Sequence, residues 1–163
     1  MFGLDKLFTK KESTLTIMAP LNGEIIDKSI IPDPTFAEGI LGPTIGFNPT
    51  AGMIYAPFDG VITQIFRTGH ALTITSNTGI EVLIHVGINT VDLKGQGFTA
   101  LVKEDAEVKQ GDPLIKFDIP FIKQQGYSLE IPLVVCNPDS FNKVKFIASG
   151  PVKVGDVICK LEK

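Results

Sequence analysis

A chain of 163 residues with a net charge of −3, 44% apolar and 20% charged residues has the size and composition of one soluble globular domain. That charge excludes a broad nucleic-acid footprint, which needs clustered Lys and Arg, so no nucleic-acid partner is expected. No apolar run approaches the roughly 20 residues that span a bilayer, and the start lacks the apolar core of a secretory signal.

Residues 1–14 read as a flexible N-terminal segment with amphipathic character, ahead of a single domain over 15–163. On a helix Leu4, Leu7 and Phe8 would share a face, while Lys6, Lys10 and Lys11 could meet anionic headgroups. Residues 2–11 therefore predict a weak membrane-surface contact, against the plainer reading of a frayed tail. The stretch 9–14, "TKKEST", reads as a linker.

Beyond it, helical periodicity is scarce. Short runs rich in Val, Ile, Thr and Phe, cut by Gly, Pro and Asn, predict strands at 15–18, 23–27, 53–56, 60–66, 70–75, 80–86, 98–103, 113–117, 130–136, 144–148 and 157–161. Between 31 and 51 Pro and Gly crowd together, predicting an extended loop with short strand pieces. One short helix is predicted at 120–125, after Asp118 and before Gly126. Two echoes suggest a duplication: "APLNGEI" at 19–25 returns as "APFDGVI" at 56–62, and "VKQGD" at 108–112 as "VKVGD" at 152–156. The fold class expected is all-β, an antiparallel sandwich or barrel with at most short helices. The two cysteines, Cys136 and Cys159, lie in apolar strand-like stretches and read as small buried hydrophobes in a reducing compartment.

The only histidines, His70 and His85, flank the predicted hairpin in "GHALTITSNTGIEVLIHVGIN" at 69–89. A three-residue "NTG" loop with Gly79 in a left-handed bulge makes paired residue numbers sum to 156. Alternation favours this register over a sum of 155, because Leu72 and Ile74 then face Ile84 and Val82 on one buried side. His85 falls on the other, less buried side with Thr73, Thr75, Glu81 and Leu83. His70 must reach it from the strand's start, where Gly69 permits a bend. One isolated histidine would read as structural; two at adjoining strand ends, beside a surface Leu83, favour a site. No third ligand is spaced nearby for a closed zinc centre, and there is no nucleophile elbow, phosphate loop or strand–GxGxxG–helix unit. A neutral imidazole can itself act as a nucleophile near pH 7.

With these residues placed, the chain resembles the glucose-type enzyme IIA proteins of the bacterial phosphoenolpyruvate-dependent sugar phosphotransferase system. The likeness covers about 15–163 and runs through "APLNGEI", "IPDPTFAEGILG", "YAPFDGVI", "TGHALTI", "GIEVLIHVGINTVDLKGQGF" and "VKQGDPLIKFD". It implies a barrel–sandwich hybrid (a duplicated hybrid motif) and a cytoplasmic phosphocarrier, peripheral at the inner membrane face if residues 2–11 make contact. His85 would take a phosphoryl group from phospho-HPr and pass it to the IIB domain of a sugar permease. His70 would stabilise the phosphoryl oxygens, and Thr68 would orient a ring through its hydroxyl. Phe36, Ile40, Leu41, Phe66, Leu83 and Val91 would form an apolar docking rim, and Asp33 an acidic contact for HPr. The plainer reading of each rim residue is ordinary core, and for Ile40, Leu41 and Val91 that reading stays open. A monomer is the simplest expectation for such a shuttle, no cofactor is required, and some relatives also regulate permeases or kinases. Asn89 stands where many relatives carry Asp, and "GPT" at 42–44 replaces a more usual Gly-Asp-Gly, which bears on partner preference more than on chemistry.

Two other classes compete. A zinc hydrolase of related fold would need HxxxD and HxH motifs. Here Ile74 and Gly87 stand at those positions, so a zinc at His70 and His85 would have to be shared with a partner. A biotinyl- or lipoyl-type carrier would need a modifiable Lys at a hairpin tip, and Lys109 and Lys153 lack the expected context.

Overall fold

The computed structural model describes residues 14–163, so the amphipathic segment expected over residues 2–11 lies outside them. In chain order the strands are β1 (Thr14–Met18), β2 (Gly23–Ile26), β3 (Thr44–Pro49), β4 (Met53–Tyr55), β5 (Gly60–Ile65), β6 (Ala71–Ser76) and β7 (Glu81–His85). They continue with β8 (Phe98–Ala100), β9 (Glu107–Val108), β10 (Pro113–Phe117), β11 (Ile131–Val135), β12 (Lys143–Phe146), β13 (Gly150–Val152) and β14 (Val157–Glu162). Two short α-helices, α1 (Pro34–Ala37) and α2 (Ile119–Gln124), complete an all-β architecture. Pairing is antiparallel throughout: an eight-stranded sheet ordered β13-β2-β3-β11-β7-β6-β5-β9, and two three-stranded sheets, β1-β14-β12 and β4-β10-β8.

The β6–β7 hairpin forms in the register that alternation predicts. Leu72 pairs with Ile84 and Ile74 with Val82, and all four are fully buried. Gly79 adopts φ 95°, the left-handed geometry that closes a three-residue loop. These side chains join Ile17, Phe47, Ile54, Leu114, Ile158 and Leu161 in one continuous core. Helix α2 starts where Asp118 Oδ1 accepts the Phe121 N–H at 3.1 Å, and ends before Gly126 at φ 88°.

The two sequence echoes are one structural unit built twice. The Ala19 N–H donates to the Asp156 carbonyl at 2.7 Å, and the Ala56 N–H to the Asp112 carbonyl at 2.8 Å. Asn22 Oδ1 accepts from the Val154 N–H at 2.9 Å, and Asp59 Oδ1 from the Gln110 N–H at 2.8 Å. In both turns an Asp closes the loop, Asp156 on the Lys153 N–H and Asp112 on the Lys109 N–H, each at 2.8 Å. The halves grip each other reciprocally, through Met18 N–H to the Pro57 carbonyl (2.9 Å) and Tyr55 N–H to the Pro20 carbonyl (2.7 Å). Strands β7 and β11 meet at the junction, with Ile84 opposite Leu133.

Three expectations need correction. The segment 31–51 is not mainly loop: it contains α1 and the six-residue strand β3, which lies inside the large sheet between β2 and β11. Gly46 and Pro49 hide that strand from propensity, but a Cβ on Gly46 would come within 3.0 Å of Ile26 and Ile31, so packing selects the glycine. Strand β8 stops at Ala100 rather than continuing to residue 103, and Leu101 is exposed. Cys159 is buried as expected, whereas Cys136 is exposed because it falls one residue beyond the end of β11.

Candidate functional site

The halves differ where one chain connection is long. The β5–β6 link uses residues 66–70, whereas β2–β3 uses 27–43, and this longer loop folds over the outer face of the sheet. Asp27 and Asp33 each cap a helical turn there, accepting the Ser29 and Thr35 N–H groups at 2.8 and 2.9 Å. Ile31 and Phe36 pack with Ile88 and Val134 in a small second cluster, against which Leu83 rests.

At the edge of this cluster the two histidine rings meet. His85 ends β7, and His70 follows the turn at Gly69 (φ 73°); their ring centroids are 4.9 Å apart at 80°. Three of the predicted residues surround them directly. Phe36 tilts against His85 at 5.1 Å, Phe66 meets His70 edge-on at 5.4 Å, and Thr68 Oγ1 hydrogen-bonds His70 Nδ1. Phe98, which sequence reading left unnamed, also faces His70 edge-on, at 6.4 Å. Its signal lay in the "GQGF" run, whose turn brings β8 beneath Gly69.

The two rings differ in access and in fixed proton position. His70 is only 2% exposed, whereas His85 is half-buried. The His85 Nδ1–H donates to the Gly87 carbonyl at 2.7 Å, leaving the Nε2 lone pair free of that bond. Burial pushes the His70 pKa down to about 4, with His85 adding a smaller push in the same direction. Burial also lowers the His85 pKa, opposed by the Gly87 carbonyl and by the negative charge of Asp33. Both imidazoles are therefore neutral near pH 7.

The residues expected to form an apolar docking rim divide by exposure. Ile40, Leu41 and Val91 are 65%, 44% and 50% exposed, so their reading as ordinary core fails; Phe36, at 5%, is the buried member. Ile30, 60% exposed on the long loop, is a further apolar surface residue that sequence reading did not name. Asn89 is exposed in the left-handed region at φ 60°, a conformation Asn tolerates better than most residues. Among the described residues no three His, Cys, Asp or Glu side chains converge in a way that could hold a metal.

A pair of neutral imidazoles at the lip of a duplicated β-sandwich, one of them accessible, suits a protein that carries a phosphoryl group on histidine. The chain belongs to the family described as phosphoenolpyruvate-dependent sugar phosphotransferase system, EIIA 1, which matches residues 15–141. It is 40% identical over 159 residues to the PTS system glucose-specific EIIA component of Halalkalibacterium halodurans, covering 96% of this chain and 92% of that one. It is 42% identical over 146 residues to the PTS system beta-glucoside-specific EIIBCA component of Dickeya chrysanthemi, covering 90% of this chain but 23% of that longer protein. The solved glucose permease IIA from Mycoplasma capricolum superposes with a TM-score of 0.84 at 33% identity, covering 90% and 95% of the two chains. The protein is thus a phosphotransferase component, a phosphocarrier of the sugar phosphotransferase system with the sandwich fold of its family. The zinc-hydrolase alternative finds no support in the family to which the chain belongs, and no third ligand converges on the two histidines among the described residues.

Proposed function

We propose that His85 is the residue that carries the phosphoryl group, and that His70 and Thr68 support the transfer. The observation behind this is the hydrogen bond from His85 Nδ1–H to the Gly87 carbonyl, which directs the nucleophilic lone pair to Nε2 on the more accessible ring. In the first step the Nε2 lone pair attacks phosphorus of phospho-HPr. A new N–P bond forms as the N–P bond to the HPr histidine breaks, and that imidazole leaves with its electron pair. In the second step a thiolate of a IIB domain attacks the same phosphorus, and His85 departs neutral. Such transfers pass through a loose, metaphosphate-like state, so alignment and charge stabilisation matter more than covalent help from the protein.

His70 suits the supporting role because a hydroxyl can donate to its Nδ1. With Thr68 as donor, the proton of the neutral ring sits on Nε2 and can be given to a phosphoryl oxygen. Asp33, whose charge acts on His85, suits a basic partner surface, and the exposed Ile40, Leu41 and Val91 suit a partner that docks and leaves. By likeness to the glucose-specific relatives, the acceptor is the IIB domain of a glucose-family permease, and the site of action is the cytoplasm. No described helix is long and apolar enough to cross a membrane. Two imidazoles supply only half of a tetrahedral zinc set, so a metal here would draw its other ligands from a partner protein.

Incubation with phosphoenolpyruvate, enzyme I and HPr should add one acid-labile phosphate per chain. His85→Gln should accept none; label retained on that variant would overturn the assignment.

A further inference from the structure

Just after His85 the backbone leaves the sheet in a tight, crowded turn. The Val86 N–H donates to the His70 carbonyl at 2.7 Å, and the Ile88 N–H to the Ser128 carbonyl at 3.0 Å. Between them Gly87 has φ 79°, a region that only glycine enters readily. A Cβ placed there would lie 2.6 Å from Thr90 Cγ2 and 2.9 Å from the Ser128 carbonyl oxygen. Thr90 is fully buried, and its hydroxyl donates to the Val86 carbonyl at 2.6 Å. One side chain thus holds the turn in two ways: its hydroxyl fixes the carbonyl before Gly87, and its methyl lies against the Gly87 α-carbon. The object held is the Val86–Gly87 segment, whose next carbonyl receives the His85 Nδ1 proton.

We infer that Thr90 is a positioning residue for phosphoryl transfer, acting through the Gly87 carbonyl to keep the His85 proton on Nδ1 and the lone pair on Nε2. This rests on His85 being the phosphoryl acceptor. Threonine meets both demands. Serine keeps the hydroxyl and loses the methyl; valine keeps the shape, loses the donor and leaves a buried carbonyl unpaired. The arrangement parallels the outer-layer groups that orient metal-bound histidines, where removal typically costs about 10-fold or more.

The test reads the His85 tautomer directly, by two-bond proton–nitrogen correlations of the 15N-labelled full chain at neutral pH, alongside the rate of phosphoryl uptake from phospho-HPr. The wild type should show the Nδ1–H tautomer. Thr90→Val should admit the Nε2–H tautomer and slow uptake about 10-fold, while Thr90→Ser restores the tautomer. Thr90→Ala, which also lacks the hydroxyl and puts no methyl in its place, carries the comparison if the valine variant does not fold. Folded valine or alanine variants with an unchanged tautomer would overturn the inference. The tautomer is read without any phosphoryl donor. A wild type that accepts no phosphate would therefore refute the assignment of His85 while leaving the role of Thr90 separately decided.

Discussion

His70 and Pro43 hold the same place in the two halves of the sandwich. The His70 carbonyl accepts the Val86 N–H at 2.7 Å, and the Pro43 carbonyl accepts the Val135 N–H at 2.9 Å. One step back along each strand, His85 corresponds to Val134, which is fully buried beneath the long loop. The duplicated frame therefore offers two equivalent corners, and only one carries imidazoles. The other is covered by residues 27–43, and the cover itself supplies the Phe36 and Asp33 that stand beside His85.

Replacing His70 by Gln should leave acceptance at His85 measurable but slow onward transfer by about 100-fold or more, the scale on which losing one preorganised donor acts. Rapid-quench transfer to a purified IIB domain checks this. Unchanged onward transfer would show that His70 does not touch the phosphoryl group in flight.

Thr68 should behave as the orienting group for His70. Thr68→Val removes the hydroxyl on Nδ1 and should slow transfer about 10-fold, whereas Thr68→Ser should recover most of the loss. The serine variant separates lost hydrogen bonding from lost packing.

Acid should weaken the fold through His70. Its pKa lies near 4 when folded and 6.5 when unfolded, so between these values the unfolded chain binds the extra proton. Stability is thus fully present above about 6.5 and falls as pH drops toward 4. Burial lowers the His85 pKa as well, and that ring acts in the same sense. Thermal midpoints measured from pH 7 to 4 should decline more steeply for wild type than for His70→Gln.

Phe36 and Ile40 should respond oppositely to substitution. Phe36 is buried against His85, so Phe36→Ala should cost about 3 kcal/mol of stability, the low end for a buried aromatic because its cluster is small. Ile40 is 65% exposed, so Ile40→Ser should change stability by less than about 0.5 kcal/mol while weakening HPr or IIB binding about 10-fold. Calorimetric unfolding and titration against each partner distinguish the two effects.

Alternation along residues 71–85 was enough to set the hairpin register and to put His85 on the more open face, because period-two burial admits only one pairing there. The repeated turns were also readable, since each needs a Gly of positive φ and an Asp closing onto its own backbone. Strand β3 was not: Gly46 and Pro49 look like loop residues, and tertiary pairing on both sides overrides that local signal. The Gly87 carbonyl and Thr90 escaped notice for a different reason. A main-chain acceptor leaves no chemical mark in a sequence, and a buried threonine resembles any other until its hydroxyl is seen to have one target. The apolar rim could be named but not distinguished from core, since Ile40, Leu41 and Val91 carry no periodic context that reports exposure.

Strand β1 has a bearing on attachment. Leu15 and Thr16 share a surface cavity with Asn77 and Thr78, at the loop end of the β6–β7 hairpin, while the imidazoles sit at the open end, roughly 20 Å of strand away. The described chain therefore begins, at Thr14, at the opposite pole from the nitrogen proposed to accept the phosphoryl group. A tag, a fused module or a supporting surface coupled there would hold the carrier by its back and leave its working end turned toward incoming partners.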